Sequence, residues 1–345
     1  MAVPSNTFQR TGKVAVREEL HNTISNIAPT QTPVMSNIGR GSCKQTHVEW
    51  LTDTLASADQ DNAVINGDDA ANDTLTDAVR LANYTQLSDK VVGISSTTQA
   101  VDSAGNQTKM AYQMLKKSKE LKRDIEKRIS GAKAAVPLAD GTAGQCAGMV
   151  AQIRTNGSRG VGGSAATLSG TTSGYINAAP TNGTLRTVTE TLFKDTIALA
   201  AIRGGKPETI MVNAQMKQKI SGAFTGIATQ YNQLNQSGQN TIVASADVYK
   251  SDFGLHKIVF NRFIGHGGGS RDNTWTSKAR TVQATANRDV LILDMATWKL
   301  DFLQAMKTVE LAKTGHSDRK MISCELTLEC SNEACNAILA DVQTT

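Results

Sequence analysis

The sequence predicts an α+β chain organised along one long helix. Three observations carry that expectation. The run Gln107–Ile129 repeats apolar residues at helical spacing, while Thr46–Leu55, Ala78–Ile94, Leu303–Lys313 and Asp318–Cys330 alternate with period two. Short apolar runs at Glu208–Asn213 and Arg288–Met295 read as buried strands beside capped helices. With 345 residues there is room for one large or two ordinary domains and a real core.

The helix comes first because the rest must pack along it. Met110, Met114, Leu115, Leu121, Ile125 and Ile129 recur at three- and four-residue steps and line one face. The segment is built from good helix formers without Pro or internal Gly, and Gly131 follows where helices commonly stop. At about 1.5 Å per residue it is a rod of about 35 Å, enough to cross a small domain. Its other faces are charged. Lys109, Lys116, Lys117, Lys119, Lys122, Arg123, Lys127 and Arg128 outnumber Glu120, Asp124 and Glu126, so the rod carries +5, as much as the formal net charge of the whole chain.

The remainder is neutral in sum but uneven. Between Gln45 and Val79 there is no Lys or Arg and there are eight acids: Glu49, Asp53, Asp59, Asp61, Asp68, Asp69, Asp73 and Asp77. Such runs are commonly solvated faces. Here the two are also complementary, and suit surfaces that meet within or between subunits.

Residues 1–45 form an expected arm. Ala15–Ile27 has the spacing of a short helix, after which Pro29 and Pro33 hold the chain out of helix, followed by Met35, Ile38 and the Gly39–Gly41 GRG. The arm has too little apolar mass for its own core. Next, Val48, Trp50 and Thr52 share one face of a first strand, and Val79, Leu81, Thr85 and Leu87 one face of a second. The polar tip between them, Ala56–Asp77, is unusually long for a hairpin. Ordering it costs about 1–2 kcal/mol per residue, and Val64, Ile65 and Leu75 offer about 2 kcal/mol each on burial. The tip is therefore expected to order only against a neighbour, with Trp50 anchoring its root.

After the rod, residues 131–187 turn rich in Gly, Ala, Ser and Thr, with a short helix in Ala147–Asn156 and a flexible loop beyond. Thr187–Glu190 has the spacing of a capping box for a helix through Leu192, Phe193, Ile197 and Ala200 that stops at Gly204–Gly205. Asn213 caps a second helix, Ala214–Ile220. Asn240–Lys250 and Leu255–Ile264 are strands around an SDFG turn, the two long C-terminal strands flank a TGHS turn, and Asn332–Val342 reads as a short closing helix.

No chemistry emerges. His266–Ser270 has an HGGGS run, but the G-x-S-x-G elbow that would accompany it is missing. The glycine runs match neither nucleotide-binding fingerprint. Cys324, Cys330 and Cys335 lack metal-ligand spacing, and Cys324 and Cys330 share strand parity as packed side chains do. The five Cys read as reduced thiols. The acids of the tip lack the Gly and closing Glu of a calcium loop. No cofactor or metal is expected, no secretory signal is visible, and no apolar run is long enough for a membrane helix. A pI near 8.9 permits a nucleic-acid neighbour.

An arm, an acidic hairpin, a long basic helix and a mixed domain returning through long strands, in that order, resemble the major capsid protein of tailed double-stranded DNA bacteriophages, with its Hong Kong phage-type fold. Arg17–Leu20 (REEL), Ser25–Gly41, His47–Leu55, Lys109–Glu126 and Leu311–Ala334 carry the likeness, which spans nearly the whole chain and weakens over 156–186. His316 stands where an acidic residue is expected.

The resemblance implies an N-terminal arm (1–45), an extended loop (46–93), a peripheral domain (94–134 and 295–345) around the spine helix 107–130, and an axial domain (135–294). It implies a structural, non-enzymatic protein that assembles with itself as hexamers and pentamers into an icosahedral head around double-stranded DNA. Scaffold, portal and possibly decoration proteins would be separate, no membrane would be involved, and the chain would reside in the virion after assembly in host cytoplasm. The acidic loop would lie across an adjacent subunit. The basic spine would meet DNA phosphates without sequence preference, or the neighbour's acids. With no Lys from Gln45 to Asp89, no covalent cross-link through a loop lysine is expected. The alternatives are an encapsulin-like compartment and a basic nucleic-acid-binding protein acting through the rod.

Overall fold

The computed structural model describes residues 31–67, 69, 72–101, 109–224, 247–264 and 288–343. The expected Ala15–Ile27 helix, the start of the spine at Gln107, most of the Asn240–Lys250 strand, His266–Ser270 and Asp68 lie outside the described residues.

In chain order, α1 is Pro33–Asn37, β1 Gly39–Ser42, β2 His47–Thr52, β3 Val79–Tyr84, β4 Gln86–Ser95, α2 Ser96–Ala100 and α3, the spine, Lys109–Ile129. Then come α4 (Met149–Gln152), β5 (Gly157–Ser158), β6 (Thr167–Leu168), β7 (Gly174–Ala178), β8 (Arg186–Thr187), α5 (Glu190–Ile202), β9 (Thr209–Val212) and α6 (Ala214–Lys219), which runs into a π-helical turn, Ile220–Phe224. The chain closes with β10 (Val248–Ser251), β11 (Gly254–Phe260), β12 (Arg288–Leu293), β13 (Trp298–Leu311), β14 (Ser317–Cys330) and β15 (Ala337–Gln343).

These make three sheets. β1-β13-β14-β4 is a four-stranded sheet covered by the spine; β10-β11-β9-β12-β15-β5, with β8 also on β15, is the largest; β2-β3-β7-β6 is the third. The spine sheet is amphipathic. Leu300, Ile322, Cys324, Leu326 and Leu328 pack on Leu121, Ile125 and Ile129 of α3. The largest sheet is buried on both faces, which explains its near-continuous apolar strands. Ile210, Val212, Val290, Ile292 and Leu339 meet Phe193 and Ile197 of α5 and Met216 of α6. Their neighbours Met211, Leu291, Leu293, Ile338 and Ala340 point the other way, into the spine core. That sheet is thus the wall between two cores, and its last strand comes from the chain's end.

Several local expectations change. The C-terminal segment read as a helix is a 3-10 turn, Glu333–Cys335, followed by β15, because AILADV fills a central strand slot in the largest sheet. The continuous strand expected over 78–94 breaks at Thr85, leaving β3 and β4 in different sheets. The glycine-rich stretch contributes β5, β6 and β7 rather than a loop alone. The cap of α5 is Thr189, whose side chain accepts from Leu192 N, while Thr187 belongs to β8, so Glu190 opens the helix instead of closing a capping box. Asn213 caps α6 as expected, accepting from Met216 N at 2.8 Å.

Glycines permit a close crossing at the end of the spine. Gly148 lies against Gly131 at the end of the spine, where any Cβ would collide with the Gly131 and Arg128 carbonyl oxygens. Val150 N donates back to Gly131 O at 3.2 Å.

Candidate assembly and nucleic-acid surfaces

The hairpin is firmly rooted and then free of the body. β2 and β3 pair from His47↔Tyr84 to Thr52↔Val79. β3 continues in parallel with β7, through Leu81↔Gly174 and Ala82↔Tyr175. Leu81, Ala147, Leu168 and Ile176 form the small core beneath, with Trp50 packed on it. Trp50 therefore sits at the root, although its Nε1 is buried without a hydrogen-bond partner. His47 stacks on Tyr84 with ring centroids 4.6 Å apart. Asn83 pins the root to both flanking segments. Its Nδ2 donates to Leu328 O at 2.8 Å, and its Oδ1 accepts from Ala147 N at 2.8 Å. Thr85 Oγ1 donates to Glu325 Oε1 at 2.7 Å where the two strands part company.

Beyond Thr52 and before Val79, the described tip has no strand pairing, and every described residue from 53 to 77 is exposed. Leu55 is 99% exposed and Leu75 92%, with Val64 and Ile65 also in solvent. Of the acids, Glu49 lies at the root, 3.7 Å from Arg80 across the strand pair. Asp53, Asp59 and Asp77 accept only from backbone N–H groups within two residues, a turn-forming habit. Asp61, Asp69 and Asp73 are exposed on the same tip. Among the described residues none of Asp53, Asp59, Asp61, Asp73 or Asp77 forms an ion pair.

The spine divides its eight cations into two groups. Lys109 donates to the carbonyls of Thr98 and Val101, tying α2 to the helix start. Lys117 pairs with Glu120 at 2.6 Å. Arg128 donates through Nε to Cys146 O at 2.7 Å and through Nη2 to Ala134 O at 2.8 Å. Arg123 is half-buried. Lys109, Lys117 and Arg128 are engaged within the chain, whereas the buried Arg123 Nε has no hydrogen-bond partner among the described residues. Lys116, Lys119, Lys122 and Lys127 stand exposed, and none has an ion pair within the described chain. Steps of three, three and five residues keep the four within roughly one side of the helix. Leu115, expected inward, is 58% exposed beside this lysine ridge, because the spine core covers only the face carrying Met114, Leu121, Ile125 and Ile129.

Glu126, counted with the solvated charges, is buried instead. It accepts from Val34 N at 2.8 Å, Met35 N at 3.0 Å and Asn261 Nδ2 at 2.9 Å. One carboxylate thus ties the arm helix α1, the spine and the end of β11 together. Burial pushes its pKa above the usual carboxylate value, and the two backbone bonds and Asn261 pull it back. The available signal was its place on the helix wheel, about 60° past Ile129 at the edge of the apolar face.

A second buried ionic group holds the far end of β15. Asp341, with φ of 58°, accepts from Gly160 N at 3.0 Å. Asp289 lies beside Arg159 and Asp341, and burial raises it to about 6. Arg186 donates to Ser158 Oγ at 3.1 Å and Ala340 O at 3.2 Å. Cys324 and Cys330 are buried, and burial pushes the Cys324 thiol up to about 11, so neither is poised to react. Among the described residues no cluster of His, Cys, Asp or Glu is arranged to hold a metal, and no helix is long and apolar enough to cross a membrane.

The sequence model of the SU10 major capsid protein family matches residues 3–343. A curated relative, the major capsid protein of Escherichia phage Phieco32, is 40% identical over 120 residues. That alignment spans 34% of this chain and 34% of the relative. Solved structures of similar shape include a chain of Mycobacterium phage Ogopogo, with a TM-score of 0.57 at 10% identity over 97% of this chain and 99% of that one. The capsid of cyanophage P-SCSP1u gives 0.55 at 10% identity, covering 99% and 97%. The SrpI encapsulin of Synechococcus elongatus gives 0.51 at 8% identity, covering 96% and 94%. At these identities the shared feature is the fold, a Hong Kong phage-type capsid fold.

Proposed function

The chain belongs to the SU10 major capsid protein family, and from that premise we propose that it builds an icosahedral phage head by self-assembly, with the acidic hairpin as the reach of one subunit onto the next. The observation that carries this reading is the tip itself: its described residues are exposed throughout, with Leu55, Val64, Ile65 and Leu75 in water and five aspartates without a cation. A second copy supplies both missing partners, apolar cover and positive charge. The rooted base sets the direction of the reach, because β3 is locked between β2 and β7.

The lysine ridge of the spine is the second surface. Lys116, Lys119, Lys122 and Lys127 suit phosphates of enclosed double-stranded DNA, read through charge alone and weakened by salt. The role is structural and non-enzymatic, hexamers and pentamers are the building units, and scaffold, portal and decoration proteins are its further partners. The similarity of the encapsulin is one of fold, whereas the family match is to capsid proteins, which favours DNA over protein cargo.

Charge reversal separates the surfaces. Changing Asp53, Asp59, Asp61 and Asp73 together to Lys should abolish assembly while leaving the circular dichroism of the subunit unchanged. Changing Lys116, Lys119, Lys122 and Lys127 to Glu should leave shells intact but lower their DNA retention at physiological salt. If the lysine reversal instead blocks assembly and the combined variant restores it, the ridge is the hairpin's partner. Shells that form normally with the reversed hairpin would refute its bridging role.

A further inference from the structure

The sheet that carries the hairpin leaves a gap beside Trp50. Trp50, Leu81 and Gly174 form one row across β2, β3 and β7, and the row ends on a residue without a side chain. Gly174 has φ of 97°, a left-handed conformation that L side chains rarely adopt, and a Cβ there would strike Ser169 Oγ. β7 therefore cannot fill the space next to the indole. A cavity of about 20 Å³ remains, lined by this row and, from the body of the subunit, by Gln152, Arg154 and Glu333. One water needs about 10–15 Å³ of such space. Two polar atoms of the lining residues are buried without a hydrogen-bond partner among the described residues: Trp50 Nε1, which can only donate, and Gln152 Oε1, which can only accept. Gln152 is only 6% exposed, so bulk solvent does not serve it. Its amide is held one way round. Nε2 donates to Leu328 O at 3.0 Å, and a flipped amide would set two oxygens against each other. An indole donor and an amide acceptor thus line one cavity without bonding to each other.

We propose that this cavity is a built site for a single water, which accepts from Trp50 Nε1 and donates to Gln152 Oε1. The second proton of the water has a partner in Glu333. That carboxylate takes hydrogen bonds from Arg154 N at 3.0 Å, Thr155 N at 3.2 Å and Thr155 Oγ1 at 3.0 Å, and can accept about four. Cavities that stay dry in proteins are apolar, whereas one with several polar partners holds water. A bridging water of this kind is nearly as good as a direct hydrogen bond. It joins β2 of the hairpin to α4. Thr52, on the same face of β2, donates directly through Oγ1 to Ser331 O at 3.0 Å. The hairpin root is then seated by a direct tie at Thr52 and a water-mediated one at Trp50, beside the Asn83 bonds on β3. The base that aims the hairpin is thus partly solvent. All the partners belong to one subunit, so the site forms before assembly and stands or falls apart from the capsid reading.

Density of the full-length wild-type protein that shows ordered water, from crystals of the subunit or from its shells, should hold one peak about 2.7–3.2 Å from both Trp50 Nε1 and Gln152 Oε1. In the double variant Trp50→Phe with Gln152→Met both partners are gone, and the peak should be lost. Urea unfolding gives a second reading. Trp50→Phe and Gln152→Met each take one partner from the water and leave the other with it. Combined, they should lower the folding equilibrium constant about three- to tenfold less than the product of the two single effects. A direct bond between the two side chains, a dry cavity, or single effects that simply multiply would overturn the proposal. Should a variant fail to fold, the wild-type density decides alone.

Discussion

Replacing Glu126 by Ala removes a carboxylate that joins arm, spine and the end of β11. Three donors lose their acceptor at once: Val34 N, Met35 N and Asn261 Nδ2, at 2.8, 3.0 and 2.9 Å. Hydrogen bonds to a charged acceptor contribute about 1.5–3 kcal/mol each, and a stranded buried donor costs about 1–3 kcal/mol. The three act on one carboxylate and are not additive, and the Val34 and Met35 amides regain water if α1 lifts, so the loss is set at about 3–5 kcal/mol. Glu126→Gln keeps the shape and one acceptor oxygen and should lose about 1–2 kcal/mol. Urea unfolding of soluble subunits, followed by the fluorescence of the buried Trp298 at fixed protein concentration, measures both. Amide exchange at Val34 and Met35 should speed up in both variants before global unfolding. An alanine variant within about 0.5 kcal/mol of wild type, with unchanged exchange at those amides, would refute the junction.

Three further outcomes follow from the same packing. Gly148→Ala forces a Cβ into the Gly131 carbonyl and should cost several kcal/mol, about 3 or more, seen as loss of soluble expression or a lowered urea midpoint. Asp289 is raised to about 6 by burial, so stability should fall as pH rises from about 4 to about 6, by at most about 3 kcal/mol, and Asp289→Asn should flatten that slope in unfolding measured across the range. Asn83→Ala strips the hairpin root of its bonds to Leu328 O and Ala147 N and should cost about 2–3 kcal/mol while speeding proteolysis between Thr52 and Val79.

The elements with unbroken periodicity were legible from the residues. The spine, the two long C-terminal strands and the paired hairpin root stand where period 3.6 or period 2 places them. The tip's exposure followed from too little apolar mass for its length. What escaped were positions decided by tertiary neighbours. AILADV suits a helix or a strand in isolation, and only the open slot beside β12 decides it. Glu126 looks like a surface charge until α1 is laid over it. Four of the eight spine cations, Lys109, Lys117, Arg123 and Arg128, are engaged or partly buried, and nothing local distinguishes Lys117 from Lys116.

Electron microscopy of the purified protein in negative stain, with light scattering on the same sample, tests the central claim most directly. Closed shells, or hexamers and pentamers that close into shells, are the predicted result, and shells with the four-aspartate reversal should be absent. A monomer that never assembles, even with the neighbouring proteins of its phage, would contradict the account.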